Sequence, residues 1–259
     1  MISIIKCFFH LVGREMHLFF NEFFSRFIDI AFVLITWVIV FGYLMQGSGL
    51  KSSYGAFILI GAIASFGLFE TIQRATLLAQ DVTDSKITNY LILPIPSYYV
   101  FVSIAISWAV STGILTILLF PLGKLILWNQ FNLSNFSIIK FLLIFVFSNL
   151  FYGFFALWVS SMVMNLRNVS WLWCRVVNPL YMFCGFFYSW KSAYAISPVI
   201  GYLHFFNTLI FILEAAKASV LGQTGFLPFW PCLFALFGFI GFFAFDAIRR
   251  FKKRVDYVC

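Results

Sequence analysis

Long apolar blocks separated by short polar segments dominate the pattern of this 259-residue chain. A helix of about 20 apolar residues crosses a hydrocarbon core of about 30 Å, so each block of that length predicts a membrane-spanning helix. We therefore expect an all-α polytopic membrane protein with six transmembrane helices in a single domain over residues 1–259. The predicted spans cover residues 27–45, 54–70, 98–122, 141–164, 169–188 and 226–245.

The first 26 residues carry a different pattern, in which polar and apolar positions alternate with the period of a helix. Polar residues recur every three or four positions, and phenylalanine and aliphatic residues fill the opposite face. This pattern predicts an amphipathic helix that lies along the membrane surface. A soluble cap helix is the alternative, which the high phenylalanine content disfavours. The polar positions are Ser3, Lys6, His10, Arg14, His17 and Asn21.

The region between the fifth and sixth predicted spans, residues 190–225, consists of apolar pieces broken by polar residues. Its most apolar piece, Val199–Leu213, has 15 residues and contains His204 and Asn207. That length is shorter than a full crossing, so it favours a re-entrant hairpin or an interfacial segment over a seventh span. A seventh span would also place the basic C-terminal tail outside the cell.

Charge sets the class of protein and the expected orientation. The chain is 63% hydrophobic and only 10% charged, which excludes a water-soluble fold because such a fold needs a solvated surface. With six spans, 12 of the 17 Lys and Arg residues lie on one side. The positive-inside rule places that side, and both termini, in the cytoplasm of a bacterial inner membrane. Five basic residues that follow the last span indicate a contact with anionic lipid rather than nucleic acid. They are Arg249, Arg250, Lys252, Lys253 and Arg254.

The motifs of enzymes are missing from the sequence. There is no P-loop, no His-x-x-x-His and no Gly-x-Ser-x-Gly, and the five cysteines are scattered. We therefore expect no catalytic site, no metal site and no cofactor. Four ionisable residues of the apolar blocks lie near a predicted span end, where their side chains can reach the interface. Because no ladder of buried carboxylates remains to carry ions, energy for any transport must come from another subunit. The four are Asp29, Glu70, Arg175 and Asp246, and a fifth candidate charge within the apolar segments is Glu214.

Three stretches resemble the membrane permease subunit of ABC type-2 exporters, the polysaccharide and drug export permeases. Tyr54–Gly61 resembles the start of the family's second span, with Ile60 in place of a proline. Asp84–Ser97 resembles the segment that ends in leucines followed by Pro-x-Pro. Gly185–Ser189 resembles the signature Gly-x-Phe-Tyr-Ser/Pro after span five. Further along, the chain keeps Asn207 but departs from the family in Thr208 and in Ser197-Pro198.

The resemblance implies a function, partners and a mechanism. Two permease copies, expected here as a homodimer, face each other in the membrane, and two soluble ATPase subunits bind ATP beneath them. A cytoplasmic coupling helix between spans two and three passes the ATPase motion to the spans. In this sequence the polar stretch of residues 71–89, which two prolines close, matches that helix, and an ordinary solvated loop is the alternative. The residues expected at the ATPase contact are Asp81, Asp84, Lys86, Tyr90, Arg14 and Glu15.

The expected substrate is a lipid-linked polysaccharide, a lipid or a hydrophobic drug-like molecule that moves outward. Aromatic rings of span five are candidates for stacking on sugars, although an interfacial aromatic belt explains tryptophan there equally. The alternatives from other classes are a membrane scaffold or assembly factor without transport and, disfavoured by the missing motifs, an intramembrane enzyme. The candidate path residues are Trp171, Trp173, Tyr181 and Tyr188.

Overall fold

A computed structural model describes residues 2–45, 54–83, 96–128, 131, 134–162 and 172–256. In this part of the chain the ordered elements are helices, with turns between them and no strand. Five of the helices are long and apolar enough to cross a membrane, and a bent pair of shorter helices is a sixth candidate. The chain is therefore an all-α, multi-pass membrane protein, as predicted.

The five long helices form one bundle. They are α1 (Ile2–Gly42), α2 (Tyr54–Thr83), α3 (Ser97–Leu127), α4 (Ile138–Met162) and α9 (Phe229–Asp256). Residues at the end of α1 and near the end of α3 meet, since the Tyr43 hydroxyl donates to the Ile126 carbonyl over 2.5 Å. The start of α4 meets the start of α9, where the Lys140 ammonium lies 5.8 Å from the centre of the Phe229 ring. We call this end of the bundle, where α2 also begins, the hairpin end.

Helix α1 is longer than its predicted span and has no break. The predicted surface helix and the predicted first span form one helix of 41 residues, about 62 Å long. The reason is visible in the sequence, because no glycine or proline occurs between Gly13 and Gly42. Its apolar window is only 22% buried, so α1 lies at the edge of the bundle.

Helix α2 also extends beyond its prediction. The helix continues from residue 70 to Thr83, through the first part of the polar stretch that was expected outside the membrane. It contains no proline, and Glu70 and Arg74 face the bundle, with 7% and 9% of their surfaces exposed. The polar residues that follow the predicted span thus extend a buried helix rather than end it.

The predicted fifth span ends early, and a broken hairpin follows it. A π-helical turn, Trp173–Val177, leads into α5 (Asn178–Met182), and the chain then turns as far as residue 188. Gly185 has φ +78°, a left-handed conformation that suits glycine and ends the helix. The hairpin comprises α6 (Trp190–Ile196), α7 (Pro198–Leu203), a 3₁₀ turn (His204–Phe206) and α8 (Thr208–Leu221).

The break in the hairpin falls at Asn207. The segment Pro198–Phe206 meets α8 there at 103°, a geometry of a broken span or of a re-entrant loop. Helix α8 packs against α2, α4 and α9, and nearly all of its side chains are buried. Apolar residues cover most of α8, and its two charged side chains are also buried, so this short segment occupies the core.

Candidate functional site

Lys217 is the centre of a polar cluster at the hairpin end. Its side chain has 0% of its surface exposed, although lysine is rarely buried. The ammonium donates hydrogen bonds to the carbonyls of Gly185, over 2.7 Å, and Phe186, over 3.3 Å. It also lies 3.4 Å from the centre of the Phe57 ring of α2, within range of a cation–π contact. The turn after α5 is therefore tied to α8 and α2 through one side chain.

Glu214 lies one helical turn before Lys217 on α8 and is also 0% exposed. Each of its carboxylate oxygens accepts a hydrogen bond from a backbone N–H of another segment. Oε1 accepts from Trp190 at the start of α6, over 2.8 Å, and Oε2 accepts from Leu227 before α9, over 2.9 Å. The carboxylate thus supplies the first N–H of α6 with a partner that the helix itself cannot provide. We call Glu214, Lys217 and their four backbone partners the hairpin hub.

Helix α2 also packs against the hub and against the turn that precedes α6. The Tyr54 hydroxyl donates to the Phe187 carbonyl over 2.8 Å. A Cβ on Gly61 would lie 3.2 Å from the Phe186 ring and 3.5 Å from Lys217 Cε, so the missing side chain makes room for both. Two of the three stretches that carry the family resemblance, residues 54–61 and 185–189, therefore meet in space around Lys217.

Asn207 and His204 hold the bend of the hairpin. The Asn207 side chain accepts from the Leu209 N–H over 3.1 Å, which caps α8, and donates to the Leu180 carbonyl over 2.7 Å. The two ring nitrogens of His204 lie 2.6 Å from the Ile200 carbonyl and 2.7 Å from the Tyr188 hydroxyl. The buried polar side chains at the bend are thus hydrogen-bonded within the hairpin and to the segment before it.

The chain shows no match to models of known protein families, to curated proteins or to solved structures. The role of the hub is therefore inferred from the hydrogen bonds of Glu214 and Lys217. Each charged group of the hub forms two hydrogen bonds to the backbone, and these bonds connect segments that are separate in sequence. Loss of either would release several short segments together.

The residues expected at the ATPase contact lie mostly beyond the described parts of the chain. Asp84, Lys86 and Tyr90 fall outside the described residues, and of Asp81 only the place on α2, before Thr83, is described. Arg14 and Glu15 are neighbours on α1, and their side chains form an ion pair at 2.8 Å.

The aromatic path candidates fall at different places. Trp171 lies outside the described residues. Trp173 is 40% exposed, and its ring centre lies 5.9 Å from that of Phe69. The Tyr181 ring is 7% exposed and packs against Trp37, Phe69, Phe186 and Phe187. Tyr188 belongs to the hairpin, where its hydroxyl meets His204. In this conformation Tyr181 is part of the aromatic packing beneath the hub.

Two groups of ionisable residues were missed by the sequence argument. The six-span arrangement counts Lys217 among the five basic residues on the outer side, yet a carboxylate and an ammonium three residues apart in an apolar segment are a signal of a buried pair. Glu70 was expected to reach the membrane surface, and the structure instead buries it between Arg26 and Arg74. The signal there was the spacing of Glu70 and Arg74 by one helical turn.

Proposed function

We propose that the chain is the transmembrane permease subunit of an ATP-driven exporter of the ABC type-2 class. The observation that carries the proposal is the broken hairpin between the fifth and sixth predicted spans. Exporters of this class have such a hairpin at the same place in the order of elements. The resemblance of residues 54–61 and 185–189 adds to this, because those stretches contact each other at the hub.

The hub gives the hairpin a physical role in transport. Irregular backbone within a membrane is tolerated where protein or a water-filled cavity supplies its hydrogen bonds. The Gly185 and Phe186 carbonyls meet this condition through Lys217. Two side chains of α8 bind the backbone of the turn before α6, of the start of α6 and of the segment before α9. These segments can therefore move together when α8 or α2 moves. A movable hairpin at the outer end of a bundle is the element that a gated export path requires.

The proposal places the hairpin end outside the cell and the basic tail in the cytoplasm of a bacterial inner membrane. ATP hydrolysis occurs on a separate soluble subunit, which contacts the region that follows α2. A second permease copy completes the path. The transported molecule is a lipid-linked polysaccharide, a lipid or a hydrophobic drug-like compound.

Co-purification of the ATPase tests this proposal. The tagged chain is solubilised from its native membrane in mild detergent, and the proteins bound to it are identified. We expect a P-loop ATPase in near one-to-one ratio with the wild-type chain. The variant Asp84→Ala/Lys86→Ala should retain less of it, because these residues lie in the expected coupling segment.

Lys191→Ala is the matched control, since Lys191 is an exposed cation of α6 at the other end of the bundle. It should leave ATPase recovery unchanged. If no ATPase is recovered even after gentle cross-linking, the exporter proposal fails. A membrane scaffold or assembly factor then accounts better for the same bundle.

A further inference from the structure

A second cluster of charges lies in the bundle away from the hub. On α2 the Glu70 Oε2 atom lies 3.4 Å from Arg74 Nε and 3.5 Å from Nη1 of Arg26 on α1. The side chains of these three residues are between 8% and 14% exposed. Arg26 also donates two hydrogen bonds to Glu22, over 2.7 and 3.0 Å, and Arg74 donates one to Ser111 of α3, over 3.0 Å. The cluster therefore joins three helices.

The contacts to Glu70 are ion pairs without hydrogen bonds. Arg26 Nη1, Arg74 Nε and Glu70 Oε2 are buried, and none of these three atoms has a hydrogen-bond partner in the part of the chain that the structure describes. Hydrogen bonds between charged groups are usually 2.7–2.9 Å long, so each contact is about half an ångström too long. A small shift of α1 against α2 would close the contact between Arg26 and Glu70, and a side-chain rotation within α2 would close that between Arg74 and Glu70. The cluster thus lies near a second, more tightly bonded arrangement.

Helix α2 links this cluster to the hub. Glu70 lies nine residues beyond Gly61, which is about 14 Å along the helix, and about 24 Å from the start of α2. That depth is near the far edge of a hydrocarbon core that begins at the hairpin end. Residues 54–83 form an uninterrupted helix without proline. A displacement at Glu70 is therefore passed along the helix to Phe57, whose ring centre lies 3.4 Å from the Lys217 ammonium.

We propose that Arg26, Glu70 and Arg74 form a charge clamp that sets the position of α2 and through it the state of the hairpin hub. The proposal deepens the proposed function, because it names the device that regulates the hairpin. In the open arrangement seen here, the charges of Arg26 and Glu70 attract α1 and α2 without a hydrogen bond between them. In the closed arrangement α2 is drawn toward α1, and the surroundings of Lys217 change with it.

Removing the charge of Glu70 should have the largest effect on the coupling between the clamp and the hub. Glu70→Gln keeps the shape of the side chain and removes the negative charge between two buried arginines. An unbalanced buried charge is unfavourable, so the arginines should move toward water and displace α2. Since Phe57 and Gly61 move with α2, the hydrogen bonds of the hub should open more often.

Amide hydrogen exchange of the chain alone, in lipid nanodiscs and without any ATPase, is the test. Peptides that contain Trp190 and Leu227 report the two N–H groups bound by Glu214. We expect them to exchange about tenfold faster in Glu70→Gln than in the wild type. Asp29→Asn is the control, because Asp29 is an exposed carboxylate of the same helix α1 and has no contact with Arg26 or Arg74 among those described. It should leave exchange at the hub unchanged.

Faster exchange confined to α1 and α2, with the hub unchanged, would overturn the proposal, because the cluster would then stabilise its own helices only. If Glu70→Gln does not fold, Ser111→Ala loosens Arg74 more gently and is measured in the same way. Faster exchange at the hub in Ser111→Ala supports the clamp, and wild-type exchange there contradicts it. No partner is present in this test, so its outcome is independent of whether an ATPase is recovered with the chain.

Discussion

The hairpin hub and the charge clamp solve the same problem in opposite ways. Both keep ionisable side chains inside an apolar bundle. In the hub, Glu214 and Lys217 form hydrogen bonds of 2.7–3.3 Å to backbone groups of four other residues. In the clamp, Glu70 and two arginines face one another at 3.4–3.5 Å without hydrogen bonds. The charged groups of the hub are hydrogen-bonded to the backbone, whereas the clamp leaves three buried atoms without a hydrogen-bond partner among the described residues.

The two clusters therefore differ in how much their geometry can change: the hub is a rigid contact, which we call the lock, and the clamp is an adjustable one. A buried hydrogen-bonded charge is strongly destabilising to disrupt, since its partners are then left unpaired. A set of charges held by attraction alone changes its distances at small cost. We therefore assign the hub to hold the hairpin together and the clamp to set where α2 lies. Four substitutions, in order of decreasing expected effect, test this division.

Lys217→Met should be the most damaging change. It removes the hydrogen-bond donor of the Gly185 and Phe186 carbonyls and a buried cation one turn from Glu214, at about 2–4 kcal/mol of stability. At about 2–4 °C per kcal/mol, the thermal midpoint measured in detergent should fall by roughly 5–15 °C. Lys6→Met, at an exposed position of α1, should change it little. Equal midpoints for the two variants would show that the hub is not a lock.

Gly67→Ala tests the part of α2 between the two clusters. A Cβ at Gly67 would lie 2.1 Å from the Tyr152 ring of α4, so α2 and α4 must separate or the ring must turn. We expect a loss of about 1–3 kcal/mol, measured as a lower thermal midpoint. The double variant Gly67→Ala/Tyr152→Leu should recover part of it, because the smaller side chain vacates that space. If the second change brings no recovery, the close contact of α2 and α4 is not what the alanine disturbs.

Ser111→Ala removes the hydroxyl that accepts from Arg74 Nη2. A hydrogen bond to a charged group contributes about 1.5–3 kcal/mol, but Arg74 retains Glu70, so we expect about 1 kcal/mol. The measurement is the thermal midpoint together with amide exchange of α2 and α3. The serine Ser107, one turn earlier on α3, bonds only within its own helix among the described contacts and provides the control Ser107→Ala. A loss as large as that of Lys217→Met would mean that the clamp is as rigid as the hub.

Tyr188→Phe should have the smallest effect. It removes one hydroxyl contact to His204, at the edge of the hub, and should cost about 0.5–1 kcal/mol. Amide exchange of the peptide around His204 should rise slightly, with Trp190 and Leu227 unchanged. A large rise in amide exchange around His204, Trp190 and Leu227 together would show that Tyr188 is needed for the hydrogen bonds of the hub itself.

The long helices were predictable because their signal is local. The predicted third and sixth spans, residues 98–122 and 226–245, overlap α3 and α9 for most of their length, since apolar runs of that size fold as helices in any membrane bundle. The short apolar piece around Asn207 predicted a re-entrant or interfacial segment, and the structure has two helices there that meet at 103°, as in a broken span or a re-entrant loop. The length of α1 was not, because a change from amphipathic to apolar residues does not by itself bend a helix.

The contacts of the hub could not be predicted from local sequence patterns, because they join residues that are far apart in the sequence. Lys217 reaches the Gly185 carbonyl across 32 positions of sequence, and Trp190 reaches Glu214 across 24. Periodicity and composition report only neighbours along the chain, so a lysine in a broken segment is assigned to a loop. The family resemblance pointed to residues 54–61 and 185–189 separately, and only the structure shows that they meet.

We expect the hydrogen bonds of the hub to break more often when the ATPase moves the end of α2 that contains Glu70. This expectation is tested most directly by amide exchange of the chain bound to its co-purified ATPase, with and without ATP and vanadate. The account predicts faster exchange around Trp190 and Leu227 in the trapped nucleotide state, and no such response in Glu70→Gln. Hub exchange that is the same in both nucleotide states of the wild-type complex would contradict it.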